Sequence, residues 1–172
     1  MSSAEPPLPE PPLPEPLLPE SARPESALSE SRLWVVDASV AFGWFVEVPA
    51  SAQAVRLLDA APPARLLAPD LVLVELLNAG WKAWRLGAIT EEQFEDIAAL
   101  APGLFSELVP AATLLPAARR WSQRLDHPAD DCLYLALAEA RNTRLITRDQ
   151  RLLRRLGQDP QAAGLAVALE AW

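Results

Sequence analysis

The chain has 172 residues, with 15 basic and 23 acidic side chains and a formal net charge of −8, a length that fits about one domain. Its single cysteine, Cys132, excludes an internal disulfide, and together with the single histidine, His127, it cannot complete a structural zinc site. No apolar run approaches the ~18–20 residues that span a bilayer, and the acidic balance argues against charge-driven coating of nucleic acid, though not against a nuclease built on an acidic metal centre.

Residues 1–32 hold nine of the 18 prolines and none of the aromatic residues, and glutamates recur every five positions from Glu5 to Glu30. Proline removes amide donors and disfavours helix in the residue before it, so this Pro/Glu-rich pentapeptide repeat predicts a disordered or polyproline tail. The start lacks the basic-then-apolar pattern of a secretory signal, which points to the cytoplasm. Residues 33–172 keep 13 basic and 17 acidic side chains and all of the tryptophan, phenylalanine and tyrosine. They form the expected folded domain, large enough to bury a core.

Leu33-Trp34-Val35-Val36 reads as a buried first strand ending at Asp37. Val40–Val46 reads as helical, and a second helix follows Pro49 over Ala50–Ala60. Arg65–Ala68 is a short strand, and Pro69-Asp70 opens a long helix that Gly87 stops. Thr90 and Gln93 form a capping box for the next helix, which ends near Pro102-Gly103. Phe105–Val109 is a strand, and the helix after it, with Pro116 in its first turn, runs to about Arg124. Asp130–Asn142 is a helix, Arg144–Thr147 a strand, Gln150–Leu156 a helix stopped by Gly157, and Leu165–Leu169 an edge strand. Strands alternating with helices predict a three-layer α/β/α domain around a mostly parallel sheet.

In such a sheet, strand C-termini and the helix N-termini that follow share one edge, where ligands bind. Asp37 ends the first strand, Glu75 lies early in the long helix, Asp131 or its neighbour Asp130 starts a helix, and Asp149 follows the Arg144–Thr147 strand. Asp37 and Asp149 are also natural helix caps. Glu75 is harder to explain that way, because it interrupts an apolar stretch from Leu71 to Leu77, and buried glutamate needs a partner. Carboxylates converging on one edge repel unless a cation joins them. Mg²⁺ or Mn²⁺ takes oxygen ligands, keeps waters and binds phosphate, which suits phosphodiester hydrolysis by a metal-activated water. Asn78, one turn beyond Glu75, and the hydroxyls of Ser39 and Thr147 are supporting candidates. His127 alone would have to carry any Ser-His-Asp mechanism, and no nucleophile motif accompanies it.

Val35-Val36-Asp37-Ala38-Ser39-Val40, Pro69-Asp70-Leu71 with Glu75-Leu76-Leu77-Asn78, Asp131-Cys132-Leu133-Tyr134-Leu135-Ala136-Leu137-Ala138-Glu139 and Leu145-Ile146-Thr147-Arg148-Asp149 together resemble the PIN-domain family. The resemblance spans about residues 33–156 and is nearest to the VapC branch, the toxins of bacterial toxin–antitoxin pairs. It selects Asp131 over Asp130, which stands where the family often has tyrosine and adds charge beside the site. The resemblance implies a Mg²⁺-dependent endoribonuclease (Mn²⁺ being an alternative) with Asp37, Glu75, Asp131 and Asp149 as catalytic and metal-holding acids. It also implies RNA as substrate, products with 5′-phosphate and 3′-hydroxyl ends, a small VapB-like antitoxin as partner, and a homodimer.

Six arginines fall between Arg141 and Arg155 with one acid, Asp149, among them. Arginine's planar fork suits phosphate, so Arg144, Arg148 and Arg151 are candidates for holding the RNA backbone. Trp44, Phe45, Trp81 and Trp84 are candidate anchors for the antitoxin. Two rival readings differ in class. One is a catalytically inactive PIN-fold module that binds RNA or protein, against which four intact acids argue. The other is a phosphoaspartate protein: Asp37-Ala38-Ser39 lacks the second aspartate of a haloacid-dehalogenase start, and the only lysine, Lys82, does not follow a strand as a receiver requires.

Overall fold

The computed structural model describes residues 33–60 and 65–172; the expected disorder of the tail lies outside them. Strand β1, Trp34–Val36, forms where two valines are fully buried. Asp37 ends it by capping helix α1, Ala38–Ala41, which tightens at once into a 3₁₀ turn over Phe42–Trp44. The sequence predicts one helix over Val40–Val46, but seven apolar-rich residues cannot distinguish α from 3₁₀ winding. Buried Gly43 sits so close to the next helix that a β-carbon there would lie 3.1 Å from Ala54 Cβ. Helix α2, Ser51–Ala60, begins with the Ser51 hydroxyl accepting from Val48 N at 2.7 Å.

Strand β2, Leu66–Pro69, is buried throughout, and helix α3 runs over Leu71–Arg85. Asp70 precedes α3 without capping it; its carboxylate accepts instead from Ala111 N at 2.9 Å, the first residue of a later helix. Gly87, at φ 69°, stops α3 as predicted, with Gly87 N bonded to Trp84 O and Ala88 N to Ala83 O. The Thr90–Gln93 capping box starts helix α4, Glu91–Leu100, which passes into a 3₁₀ turn over Ala101–Leu104. Strand β3 is only Glu107–Val109, because Phe105 packs its ring 5.8 Å from that of Trp44 and does not join the ladder. Helix α5 spans Ala111–Leu125, so Pro116 falls in its second turn and not its first. Helix α6 spans Ala129–Ala140, and Asn142, at φ 48°, ends it as a left-handed cap and not as a helical residue. Strand β4 is Arg144–Thr147, helix α7 Gln150–Gly157, and strand β5 Ala166–Ala168, followed by a 3₁₀ turn over Leu169–Ala171.

The five strands form one fully parallel sheet in the order β3-β2-β1-β4-β5. Seven α-helices among the described residues flank it, giving the predicted α/β architecture. Pairing sets Val35 opposite Leu67 on one side and Leu145 on the other, so the sheet centre is aliphatic and fully buried. The chain winds outward from β1 to β2 to β3, then returns to place β4 on the other side of β1. The strand order therefore reverses between β1 and β4, and open α/β sheets bind ligands outside the carboxyl ends of strands at such a reversal. Asp37 and Thr147 stand there. Among the described residues, no helix is long and apolar enough to cross a membrane.

Candidate metal centre

Asp37 is the hub of the reversal point. Its Oδ1 accepts from Val40 N at 3.1 Å and from the Ser39 hydroxyl at 2.6 Å, and its Oδ2 accepts from the Thr147 hydroxyl. Thr147 is fully buried at the end of β4, and its oxygen also accepts from Asp149 N at 2.9 Å. One buried hydroxyl thus ties the acid after β1 to the acid after β4. Burial nevertheless pushes the Asp37 carboxyl up to about 6, helped by the charge of Asp131, although three hydrogen bonds favour its anion.

Glu75 projects from α3 and accepts a hydrogen bond from the hydroxyl of Tyr134 on α6, which explains how a glutamate is tolerated among leucines. Burial, and then the charges of Asp130, Asp131 and Asp37, raise its carboxyl to about 6. Burial and the charge of Glu75 push the Tyr134 phenol far above its ordinary range, so it remains a neutral donor. Asp131, in the first turn of α6, is also raised, by burial first and then by exposed Asp130 and by Asp149. Asp149 caps α7: its Oδ1 accepts from Arg151 N at 2.7 Å and Leu152 N at 3.1 Å. Asp37 and Glu75 each sense the charge of Asp131, and Asp131 senses that of Asp149, so the four acids are linked through Asp131.

His127 and Tyr134 complete this arrangement, and neither was among the candidates drawn from the sequence. The His127 Nε2 lies 2.9 Å from Asp131 Oδ2, and His127, Asp131 and Asp149 each offer a ligand atom within 4.8 Å of the others. For Tyr134 the available signal was spacing, since it follows Asp131 by three residues on α6 and so shares its face. His127 lies ahead of the helix and reaches Asp131 through the turn that precedes it.

The remaining candidates separate. Asn78 is exposed one turn beyond Glu75. Arg148 does not stand free: its amide donates to the Ser39 hydroxyl at 3.1 Å and its guanidinium to Ser39 O at 3.4 Å, clipping the loop after β4 to α1. Arg151 is exposed in the first turn of α7, in a shallow cleft with Arg154 and Arg155. Arg144 opens β4 and so sits at the opposite sheet edge, beside Leu33 and Asn142. Trp44 is committed to the fold by its Nε1 bond to Ala54 O at 2.9 Å, and Phe45 is half-buried. Trp81 and Trp84 remain 44% and 41% exposed.

No lysine or arginine pairs with any of the four acids among the described residues. A cluster of partly buried carboxylates held by hydroxyls, amides and the His127 ring, with no lysine or arginine partner among the described residues, could hold a metal ion. A family model described as PIN domain matches residues 34–158. No protein of curated description matches the sequence. Among solved structures, the chain is similar to one from a toxin–antitoxin complex of Klebsiella pneumoniae, at 17% identity and a TM-score of 0.57, covering 78% of this chain and 96% of that one. It is also similar to PAE2754 from Pyrobaculum aerophilum, at 20% identity and a TM-score of 0.56, covering 83% and 93%. At these identities the likeness is one of fold.

Proposed function

Since the chain belongs to the PIN domain family, we propose that it is a divalent-metal-dependent endoribonuclease, the VapC-type toxin of a toxin–antitoxin pair. The observation that carries this reading is the set of four acids about the sheet's reversal point with no lysine or arginine among the described residues to neutralise them. Asp37, Asp131 and Asp149, with Glu75 alongside, would hold Mg²⁺ or Mn²⁺. A cation there supplies Lewis acidity, offsetting charge on the scissile phosphate and making water a better nucleophile.

The protein's own part is to fix the acids and the RNA. Ser39 and Thr147 hold Asp37 in one orientation, and Tyr134 holds Glu75. Arg148 and Arg151 lie on the acidic edge, where a guanidinium can bind the phosphate backbone. Asn78 flanks the same edge from α3. In-line attack of water with O3′ as the leaving group gives the 5′-phosphate and 3′-hydroxyl ends that the PIN resemblance implies.

For the partner, α3 offers Val74, Leu77, Trp81 and Trp84, each more than 40% exposed and spaced at three and four residues along one face. Such an apolar stripe suits a helical segment of a small antitoxin. The Klebsiella pneumoniae likeness supports a partner of that kind, and a homodimer is part of the same reading. Incubating the protein with defined RNAs in Mg²⁺ and in EDTA, followed by end-group analysis, tests the proposal. Mg²⁺-dependent fragments ending in 5′-phosphate are expected; RNA binding with no cleavage in Mg²⁺ or Mn²⁺ would instead describe an inactive binding module.

A further inference from the structure

His127 is the chain's single histidine, and its ring is buried between the acids that begin α6 and α7. Its Nε2 lies 2.9 Å from Asp131 Oδ2 and 3.6 Å from Asp149 Oδ2, with the side chain 1% exposed. The backbone holds it there: its amide donates to Ser122 O at 3.2 Å and its carbonyl accepts from the Ser122 hydroxyl at 2.6 Å. Pro128 follows and restricts the residue before it. On the far side of the ring, Nδ1 is buried with no hydrogen-bond partner among the described residues.

These contacts select a tautomer. A proton on Nδ1 would be a buried donor without an acceptor, and it would turn the Nε2 lone pair toward a carboxylate oxygen at hydrogen-bond distance. Both are unfavourable. A proton on Nε2 satisfies Asp131 and leaves only a bare lone pair at Nδ1. A histidine that ligates a metal through Nε2 carries its proton on Nδ1 and gives it to a carboxylate, carbonyl or water. No acceptor faces Nδ1 among the described residues.

We infer that His127 is a positioning residue and not a ligand: an Nε2-protonated ring that donates to Asp131, faces Asp149, and holds the two carboxylates for the cation. The inference rests on the metal reading above and refines it. Although His127, Asp131 and Asp149 lie close enough to form a mixed nitrogen–oxygen site, the ring's proton keeps the centre all-oxygen. All-oxygen donors favour Mg²⁺ and Mn²⁺ over Zn²⁺.

With one histidine, long-range ¹H–¹⁵N spectra of the untagged wild-type protein report the ring directly. The Nε2-protonated pattern is expected both without metal and in saturating Mg²⁺. A proton on Nδ1 in either state overturns the inference. Calorimetric Mn²⁺ titration supplies the second readout. His127→Gln, which can present an amide donor where Nε2 lies, is expected to bind Mn²⁺ nearly as wild type does. His127→Ala should bind on the order of 10–100-fold more weakly. Equal Mn²⁺ affinity in all three proteins overturns the positioning role while leaving the metal reading intact. Wild-type protein that takes up no Mn²⁺ overturns the metal reading itself. The wild-type spectra decide the tautomer even where His127→Ala fails to fold.

Discussion

Asp37 accepts three hydrogen bonds that favour its anion, yet its carboxyl is pushed up to about 6 because burial outweighs them. Glu75 reaches about 6 in the same way against its bond from Tyr134. Both values exceed the ~4 of an unfolded carboxylate. The folded, metal-free protein therefore holds these protons more tightly than the unfolded chain does. Their contribution to stability is fully present below pH 4 and is lost as pH rises through about 6. Asp159, held low by its hydrogen bonds from Arg124, acts with the opposite sign and below this window. Melting temperatures of metal-free wild type should fall between pH 4 and pH 7, Asp37→Asn should flatten that fall, and Mg²⁺ should stabilise wild type more at pH 7.5 than at pH 5. A metal-free profile that Asp37→Asn leaves unaltered would contradict this account. At this scale the sequence was legible where chemistry was anomalous. Glu75 stood out as a charge within an apolar helix, and its partner Tyr134 lay in a quoted motif without a role. His127 was passed over because a lone histidine shows no partner in one dimension; the turn through left-handed Asp126 that folds it under α6 is a tertiary feature.

Some elements with a chemical start or stop were read correctly from the sequence, whereas Gly157, the expected stop of α7, falls inside that helix and Gln158 caps it. The Thr90–Gln93 box and Gly87 bound α4 and α3 as predicted because capping is a local hydrogen-bond problem that the sequence states outright. The Val40–Val46 run, the placing of Pro116 and the role of Asn142 came out differently, since each depends on how tightly the backbone winds within an apolar stretch. Strand β4 shows the limit for function. Arg144 and Arg148 are four residues apart in sequence, but a strand separates its ends by ~3.3 Å per residue, so they occupy opposite edges of the sheet. The arginine cluster is thus divided, with Arg148 and Arg151 near the acids and Arg144 away from them. Replacing Arg148 or Arg151 by alanine should weaken RNA binding and flatten its salt dependence, each lost single-strand contact reducing the slope of log K against log salt by ~0.7. Arg144→Ala should leave both unchanged. Filter binding at two salt concentrations measures this, and an equal loss from all three variants would mean that the backbone runs elsewhere.

At the scale of the folded domain, the parallel sheet and its single reversal link four acids from distant parts of the chain through Asp131. The architecture was legible because alternating strand and helix patterns admit few topologies. The sequence did not reveal which apolar side chains stay at the surface: Trp44 is tied into the fold, whereas Trp81 and Trp84 are exposed. The Pro/Glu-rich repeat carries no aromatic residue and little apolar surface. Removing residues 1–31 is therefore expected to leave melting temperature and nuclease activity nearly unchanged, and a drop of several degrees on truncation would show that the repeat packs on the domain. The central claim is that the charges of these acids serve a cation. Its most direct test is Mg²⁺-dependent cleavage of one defined RNA by wild type, Asp37→Asn and Asp131→Asn, each checked for folding by its metal-free melt. Wild type should cleave in Mg²⁺ and stop in EDTA, while both variants melt at or above the wild-type temperature and do not cleave. Near wild-type cleavage by either variant at saturating Mg²⁺ would contradict the account.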